Sequence, residues 1–309
     1  LVSAVLLATA TFLVSIVVLW VGSELFVTNA AKVARRVGLS DLTVGLTVVA
    51  LGTSAPEVAV SIDAALVGAG DIAIANVVGS NLFNVGLILG GIAVVAGVRS
   101  SPLLIWRDGV VMVGSSLVVL LFVWDLRVTR VEGAILLGLF VAYLLVLFVA
   151  SRGEQSHSPS NTEMTWWTPV LLVVGFVAIV GAAQFLVESA VSIARTVGLS
   201  EWVIGETIVA VGTSTPEIVA SAAAARKGMG DVAAGNLIGS NIFNALFILG
   251  ITTTIAPVSV AETATGTTLW LVAISALAAV LLGTERVLGR LEGLTLVMIN
   301  LSRWVLDVL

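Results

Sequence analysis

Shifting the chain along itself by 160 residues lays Gly38–Gly90 over Gly198–Gly250 without a gap, with 28 of 53 positions identical. This internal repeat limits the fold more than any other feature, because each copy must build the same local structure. The match runs upstream more weakly, through Val27 and Val187, Ala34 and Ala194, Arg35 and Arg195, Val37 and Val197. Each copy holds a run that does not suit its surroundings: Gly52-Thr53-Ser54-Ala55-Pro56-Glu57, and Gly212-Thr213-Ser214-Thr215-Pro216-Glu217. Both lie inside long apolar segments. An ionisable residue at the centre of a membrane helix costs about 2.5 to 3.5 kcal/mol on insertion scales.

Composition identifies those surroundings. Of 309 residues, 59% are hydrophobic and 11% charged, with mean hydropathy +1.15; a soluble domain is about a quarter charged. A helix needs about 20 apolar residues to cross a bilayer. The apolar runs predict ten spans, at 3–30, 42–66, 72–97, 106–124, 131–150, 168–192, 202–225, 232–256, 267–283 and 290–308. The first run has no basic leader or cleavage site and reads as a span, not a signal peptide. Ser151 to Thr165 (SRGEQSHSPSNTEMT) is hydrophilic and reads as a linker. The expected partners are the lipid bilayer and small ions. A net charge of −5 with no basic run longer than two offers nothing to nucleic acid. With no cysteine there is no disulfide or thiolate metal site. A monomer without a cofactor is expected.

Five spans separate each residue from its repeat mate. Five is odd, so the second copy enters from the opposite face of the bilayer. The predicted fold class is an all-α polytopic membrane protein with ten transmembrane helices. They form two inverted five-helix repeats, 1–150 and 166–309, joined by a cytoplasmic linker at 151–165, with broken helices at the midplane. Lys and Arg set the expected orientation. With the N-terminus outside, the inner side holds Lys32, Arg35, Arg36, Arg99, Arg107, Arg152, Arg226, Lys227, Arg286 and Arg290, and the outer side Arg127, Arg130, Arg195 and Arg303. That balance puts both termini outside.

Pro56 has no N–H, so the Gly52 carbonyl loses its helical partner, and Gly52 weakens the turn further. The expectation is a broken helix with free carbonyls between Ala50 and Thr53. Thr53 and Glu57 are four apart and share a face, with Ser54 beside them. Carboxylate, hydroxyl and backbone oxygens converging on one point are ligands of a hard cation such as Ca²⁺ or Na⁺. One copy alone is equally a proline kink, with Ser and Thr bonded back to the helix and the Glu met by a neighbour. Packing does not call for the Glu twice. The third and eighth spans carry Asn76-Val77-Val78-Gly79-Ser80-Asn81-Leu82-Phe83-Asn84 and Asn236-Leu237-Ile238-Gly239-Ser240-Asn241-Ile242-Phe243-Asn244. Ser80 and Asn84, like Ser240 and Asn244, are four apart and can face the broken helix together. Asn76, Asn81, Asn236 and Asn241 read as interhelical hydrogen-bond formers, and Gly79 and Gly239 as points of close helix approach.

Paired G-T-S-x-P-E and G-N-x-x-G-S-N type segments in a ten-span inverted repeat resemble the sodium/calcium exchanger family, of the calcium/cation antiporter superfamily, in its prokaryotic type. The likeness covers nearly the whole chain; Ala75 departs from it, where the second copy has Gly235. It implies a cluster of cation sites where four helices cross. The carboxylates would be Glu57 and Glu217, and the hydroxyl ligands Thr53, Ser54, Ser80, Thr213, Ser214 and Ser240. Asn84 and Asn244 would give amide oxygens, and Ala50 and Ala210 backbone carbonyls. The resemblance implies an antiporter of the cell membrane, not an enzyme, that exchanges sodium for calcium by alternating access. Net charge would move, and the long first and sixth spans would be the sliding pair. In the potassium-dependent branch an acid at the position of Asn244 is linked to potassium, so Asn244 points away from potassium. The nearest rival is a proton/calcium antiporter of the same superfamily. Those relatives usually carry an acid soon after the G-N, where Ser80 and Ser240 stand here.

Two facing glutamates repel each other and are desolvated when no cation is present. Calcium, or several sodium ions, would be alternative ways to neutralise one cluster. Exchange follows if access changes only in the neutralised state. A flexible oxygen set suits Ca²⁺ better than Mg²⁺. An intramembrane enzyme using Ser54 or Ser214 has no base, since His157 lies in a polar loop and no lysine lies within a span. A channel would conduct without counterflow. Glu24, Asp63 and Glu206 are not repeated (their mates are Gln184, Ala223 and Leu46) and read as interfacial or cavity-lining. Asp71 and Asp231 stand at helix starts and read as caps.

Overall fold

The computed structural model describes residues 2–36, 50–99, 102, 104–151, 165–226, 228, 230–285 and 287–308. Helix α1 (Val2–Arg36) leads to a one-turn α2 (Ala50–Thr53) and α3 (Ala55–Leu66). Helix α4 runs Gly70–Phe83, passes through a π-helical stretch at Asn84–Leu89, and ends as Gly90–Ala96. Helix α5 is π-wound over Leu104–Gly109 and α-helical over Val110–Phe122, and α6 is Arg130–Ser151. The second half repeats the order. It comprises α7 (Trp167–Val197), α8 (Glu201–Thr213, π-wound over Gly205–Val209) and α9 (Thr215–Arg226). Then come α10 (Gly230–Phe243, a π stretch Asn244–Ile248, then Leu249–Ile255), α11 (Thr263–Glu285) and α12 (Arg290–Val308).

Among the described residues seven helices are long and apolar enough to cross a bilayer, and α8 with α9, bent by 48°, makes an eighth. Helix α12 is not among them, because Arg290, Glu292, Arg303 and Asp307 interrupt its apolar run. The expected second span begins at 42, and its part before Ala50 lies outside the described residues. So do 152–164 of the expected linker.

The sequence shows no sign of the four two-residue strands at the helix ends. Strand β1 (Val98–Arg99) pairs antiparallel with β4 (Val287–Leu288), and β2 (Arg127–Val128) with β3 (Val258–Ser259). The repeat mate of β1 is β3 and that of β2 is β4, so every strand pairs outside its own repeat. Gly70 and Gly230 sit where this cross-pairing leaves no room. A Cβ on Gly70 would lie 2.6 Å from the Ser259 carbonyl oxygen, and one on Gly230 2.9 Å from the Arg99 nitrogen. Asp71, expected as a cap, stands in the first turn, beyond the N-cap residue Ala69. It accepts from the Ala261 backbone N–H at 2.7 Å, because the β3 strand brings that donor within reach. Asp231's side chain lies outside the described residues.

Helices α4 and α10 form the centre, with 83% and 72% of their spans buried, against 11% for α6. Helices α1 and α7 pack against each other where glycines thin both surfaces. A Cβ on Gly22 would stand 3.1 Å from Ala178 Cβ, and one on Gly175 2.7 Å from the Gly22 carbonyl oxygen. Their outer faces, with Leu6, Leu7, Val173 and Val177, are exposed and apolar, as lipid contact requires. Several of the counted basic residues lie within helices, Lys32, Arg35 and Arg36 at the end of α1 among them. Arg107 lies in the π turn of α5, bonded to Asp108, and Arg303 is buried in α12.

Candidate cation site

The helix break falls at the same place in both repeats. Ser54 (φ −87°, ψ 9°) separates α2 from α3, and Ser214 (φ −81°, ψ 9°) separates α8 from α9. These are bridge-region angles, one residue wide. The expected break, with free carbonyls between Ala50 and Thr53, lies just upstream of the proline. The structure places it at Ser54, so Pro56 falls in the first turn of a new helix that begins at Ala55, where a missing N–H costs nothing. Glu57 and Glu217 then fall in the first turns of α3 and α9. There the unpaired N–H groups and helix dipole favour a negative charge.

The carboxylates are tied across the repeats. Ser54 Oγ donates to Glu217 Oε1 at 3.0 Å, and Ser214 Oγ donates to Glu57 Oε1 at 3.0 Å. Ser240 Oγ lies 3.5 Å from Ser54 Oγ. Thr53 and Ser240 also stand beside the Glu217 carboxyl, and Thr213 beside that of Glu57. Thr213 Oγ1 is 3.0 Å from Asn76 Oδ1 and 3.2 Å from the Ala210 carbonyl.

Four asparagines brace the floor. Asn81 Nδ2 donates to the Asn241 carbonyl and Asn241 Nδ2 to the Asn81 carbonyl, both at 3.1 Å. Asn84 Nδ2 donates to Asn241 Oδ1 and Asn244 Nδ2 to Asn81 Oδ1, both at 3.0 Å. These bonds use the donor ends of Asn84 and Asn244 and leave their Oδ1 atoms without a hydrogen-bond partner. Glu57 Oε2, Glu217 Oε2 and Ser80 Oγ are likewise buried and unpartnered. A buried acceptor without a donor is costly, and a charged one more so. Oxygen atoms alone, carboxylate plus hydroxyl plus amide, form the donor set of a hard cation.

All ten candidate side chains, Thr53, Ser54, Glu57, Ser80, Asn84, Thr213, Ser214, Glu217, Ser240 and Asn244, are buried. Thr53, Ser54 and Ser240 gather at Glu217 and Thr213 and Ser214 at Glu57, while Ser80 and Asn84, like Ser240 and Asn244, stand one turn apart on α4 and α10. Ala50 opens α2, and Ala210 opens the last turn of α8. The Ala210 carbonyl is engaged within the helix. Its oxygen accepts from Ser214 N at 3.0 Å, because α8 keeps its α-helical bonding through Thr213. Asn76 and Asn236 are hydrogen-bond formers, as expected, and reach Ser61 Oγ and Ser221 Oγ at 3.0 Å each. These two serines escaped the sequence reading, although they are repeat mates in both motif helices. Gly79 is a point of close approach: its Cβ would meet Glu206 Cα at 2.5 Å. A Cβ on Gly239 would meet nothing within 4 Å among the described residues; Leu46, the mate of Glu206, lies outside them. Glu24 is exposed and Asp63 half-buried, whereas Glu206 is buried, held by Arg303 and Trp202.

Comparison with known proteins adds an independent line. The model of the sodium/calcium exchanger protein family matches residues 7–149 and 167–301. A protein of Alkalimonas amylolytica carrying the antiporter name CaxA is 38% identical over 95% of this chain and 96% of its own length. The sodium/calcium exchanger MaX1 of Methanosarcina acetivorans is 34% identical over 93% of this chain and 94% of its own. A solved structure of the sodium-calcium exchanger NCX_Mj, soaked with Na⁺ and Sr²⁺, superposes with a TM-score of 0.69 at 30% identity, covering 96% of this chain and 97% of that one.

Proposed function

The chain belongs to the sodium/calcium exchanger family, and from that premise we propose that it is a secondary antiporter exchanging sodium for calcium by alternating access. The observation that carries this is the set of five buried, unpartnered oxygens, on Glu57, Glu217, Ser80, Asn84 and Asn244. A cation at the crossing of α2–α3, α8–α9, α4 and α10 would draw on these and on the serine and threonine hydroxyls beside them. With only two carboxylates, one Ca²⁺ cancels the charge, and so do Na⁺ ions entering together. An empty, ionised cluster would hold two facing charges in a site of low dielectric. Carrying it through an occluded state is the costly step, and that couples the two ions.

The full topology is also proposed: ten spans in two inverted repeats, 1–150 and 166–309, with a cytoplasmic linker at 151–165 and both termini outside a prokaryotic plasma membrane. The swapped strand pairing supports inversion. Helix α5 separates β1 from β2, and the mate of β1 lies beside β2, at the far end of that helix. Helices α1 and α7, smooth and glycine-thinned where they meet, are suited to slide past the site and expose it to either side. The protein works as a monomer in this reading.

Calcium uptake into proteoliposomes tests the counter-ion. An outward sodium gradient at fixed pH drives saturable ⁴⁵Ca²⁺ uptake, and a proton gradient at equal sodium does not. Uptake that follows the proton gradient alone would replace sodium by proton as the coupled ion.

A further inference from the structure

Two acids of the motif helices, Asp63 and Glu206, have no acidic repeat mate, and Glu206 is the fully buried one. It is 1% exposed, within the π turn of α8, directly before the turn that carries Ala210 and Thr213. Its Oε2 accepts from Trp202 Nε1 at 3.0 Å and lies 3.9 Å from Arg303 Nη2 on α12. Thr267 Oγ1 on α11 joins the same cluster, accepting from Trp202 Nε1 at 3.2 Å and from Arg303 Nη2. The backbone of Glu206 presses on α4 at Gly79, one residue before Ser80. One residue therefore links the ligand-bearing turn of α8 to two scaffold helices and to the ligand helix α4.

The first repeat is built otherwise. The mates of Trp202 and Glu206 are Leu42 and Leu46, which are apolar. The mates of Thr267 and Arg303 are Arg107 and Tyr143. There Arg107 bonds Asp108 through Nε and Nη2, both at 2.8 Å, and Tyr143 Oη donates to Asp108 at 3.0 Å. That cluster joins α5 to α6 and is made of residues on those two helices.

We propose that Glu206 and Arg303 act as a positioning clamp that fixes the second half of the cation site to α11 and α12, so that the two repeats hold the ion unequally. The proposal rests on the exchange reading of the site. Calcium chloride titrated into purified protein in detergent, with sodium competition, tests it. Glu206→Gln and Arg303→Met each weaken calcium binding by about tenfold, and the double variant is no weaker than the worse single one. Thr267→Val, which keeps both charges and stands in if Glu206→Gln does not fold, weakens binding by about threefold. Asp108→Asn lowers the thermal midpoint and leaves calcium affinity within about twofold. The clamp is overturned if Glu206→Gln binds within about twofold of wild type, or if Asp108→Asn weakens binding as much as Glu206→Gln does. Wild-type protein without saturable calcium binding would overturn the exchange reading, and the clamp with it.

Discussion

An asparagine amide has one donor end and one acceptor end, and at Asn84 and Asn244 the donor end is taken by the facing asparagine of the other repeat. What remains without a partner is the oxygen. The spacing of Ser80 and Asn84 pointed to both as candidates, but which end of the amide is left free depends on Asn81 and Asn241, and no single span shows that. Asn81→Ala removes the acceptor that holds Asn244 Nδ2. A lost orienting bond of about 1 to 1.5 kcal/mol corresponds to about tenfold weaker calcium binding, and Asn241→Ala should match it through Asn84. Calorimetric titration of both variants checks this; unchanged affinity in either would mean that the asparagine floor does not orient ligands. The carboxylates were easier to read. A Glu repeated in an apolar segment stands out from sequence alone, whereas Glu206 is unrepeated and its partner Arg303 lies on α12, nearly a hundred residues on.

At the scale of elements, the broken helices were legible because Gly52 and Pro56 recur as Gly212 and Pro216. The residue at the break was not, since proline is also at home in a first turn and Ser54 and Ser214 take the irregular angles. The π stretches that begin at Asn84 and Asn244 had no sequence signature. They arise where an asparagine is bound across the repeat interface, and such insertions are common at functional sites. Close packing of α4 on α8 hangs on Gly79. Gly79→Ala would place a Cβ 2.5 Å from the Glu206 Cα and carbonyl oxygen, both backbone atoms that must shift. Overpacking of this kind costs about 1 to 3 kcal/mol. The expected result is a lower thermal midpoint in detergent together with weaker calcium binding. Gly114→Ala, whose Cβ meets nothing within 4 Å among the described residues, should leave both unchanged. Equal behaviour of the two variants would count against the packing argument.

For the whole molecule, the repeat and the parity of the spans gave the expected inverted architecture, and parity needs no knowledge of contacts. The strands that stitch one repeat to the other could not be foreseen, because two residues carry no alternation to read. Their swapped pairing, the reciprocal serine–glutamate bonds and the asparagine floor all join the halves, so the proposed site is common property of both repeats. The most direct measurement is the stoichiometry of calcium binding to purified protein, for the wild type and for Glu57→Gln and Glu217→Gln. A shared site predicts one calcium per chain, displaced by sodium and lost in either variant while the protein stays folded. Two calcium ions per chain, with one surviving each substitution, would mean that the repeats bind independently and would contradict the account.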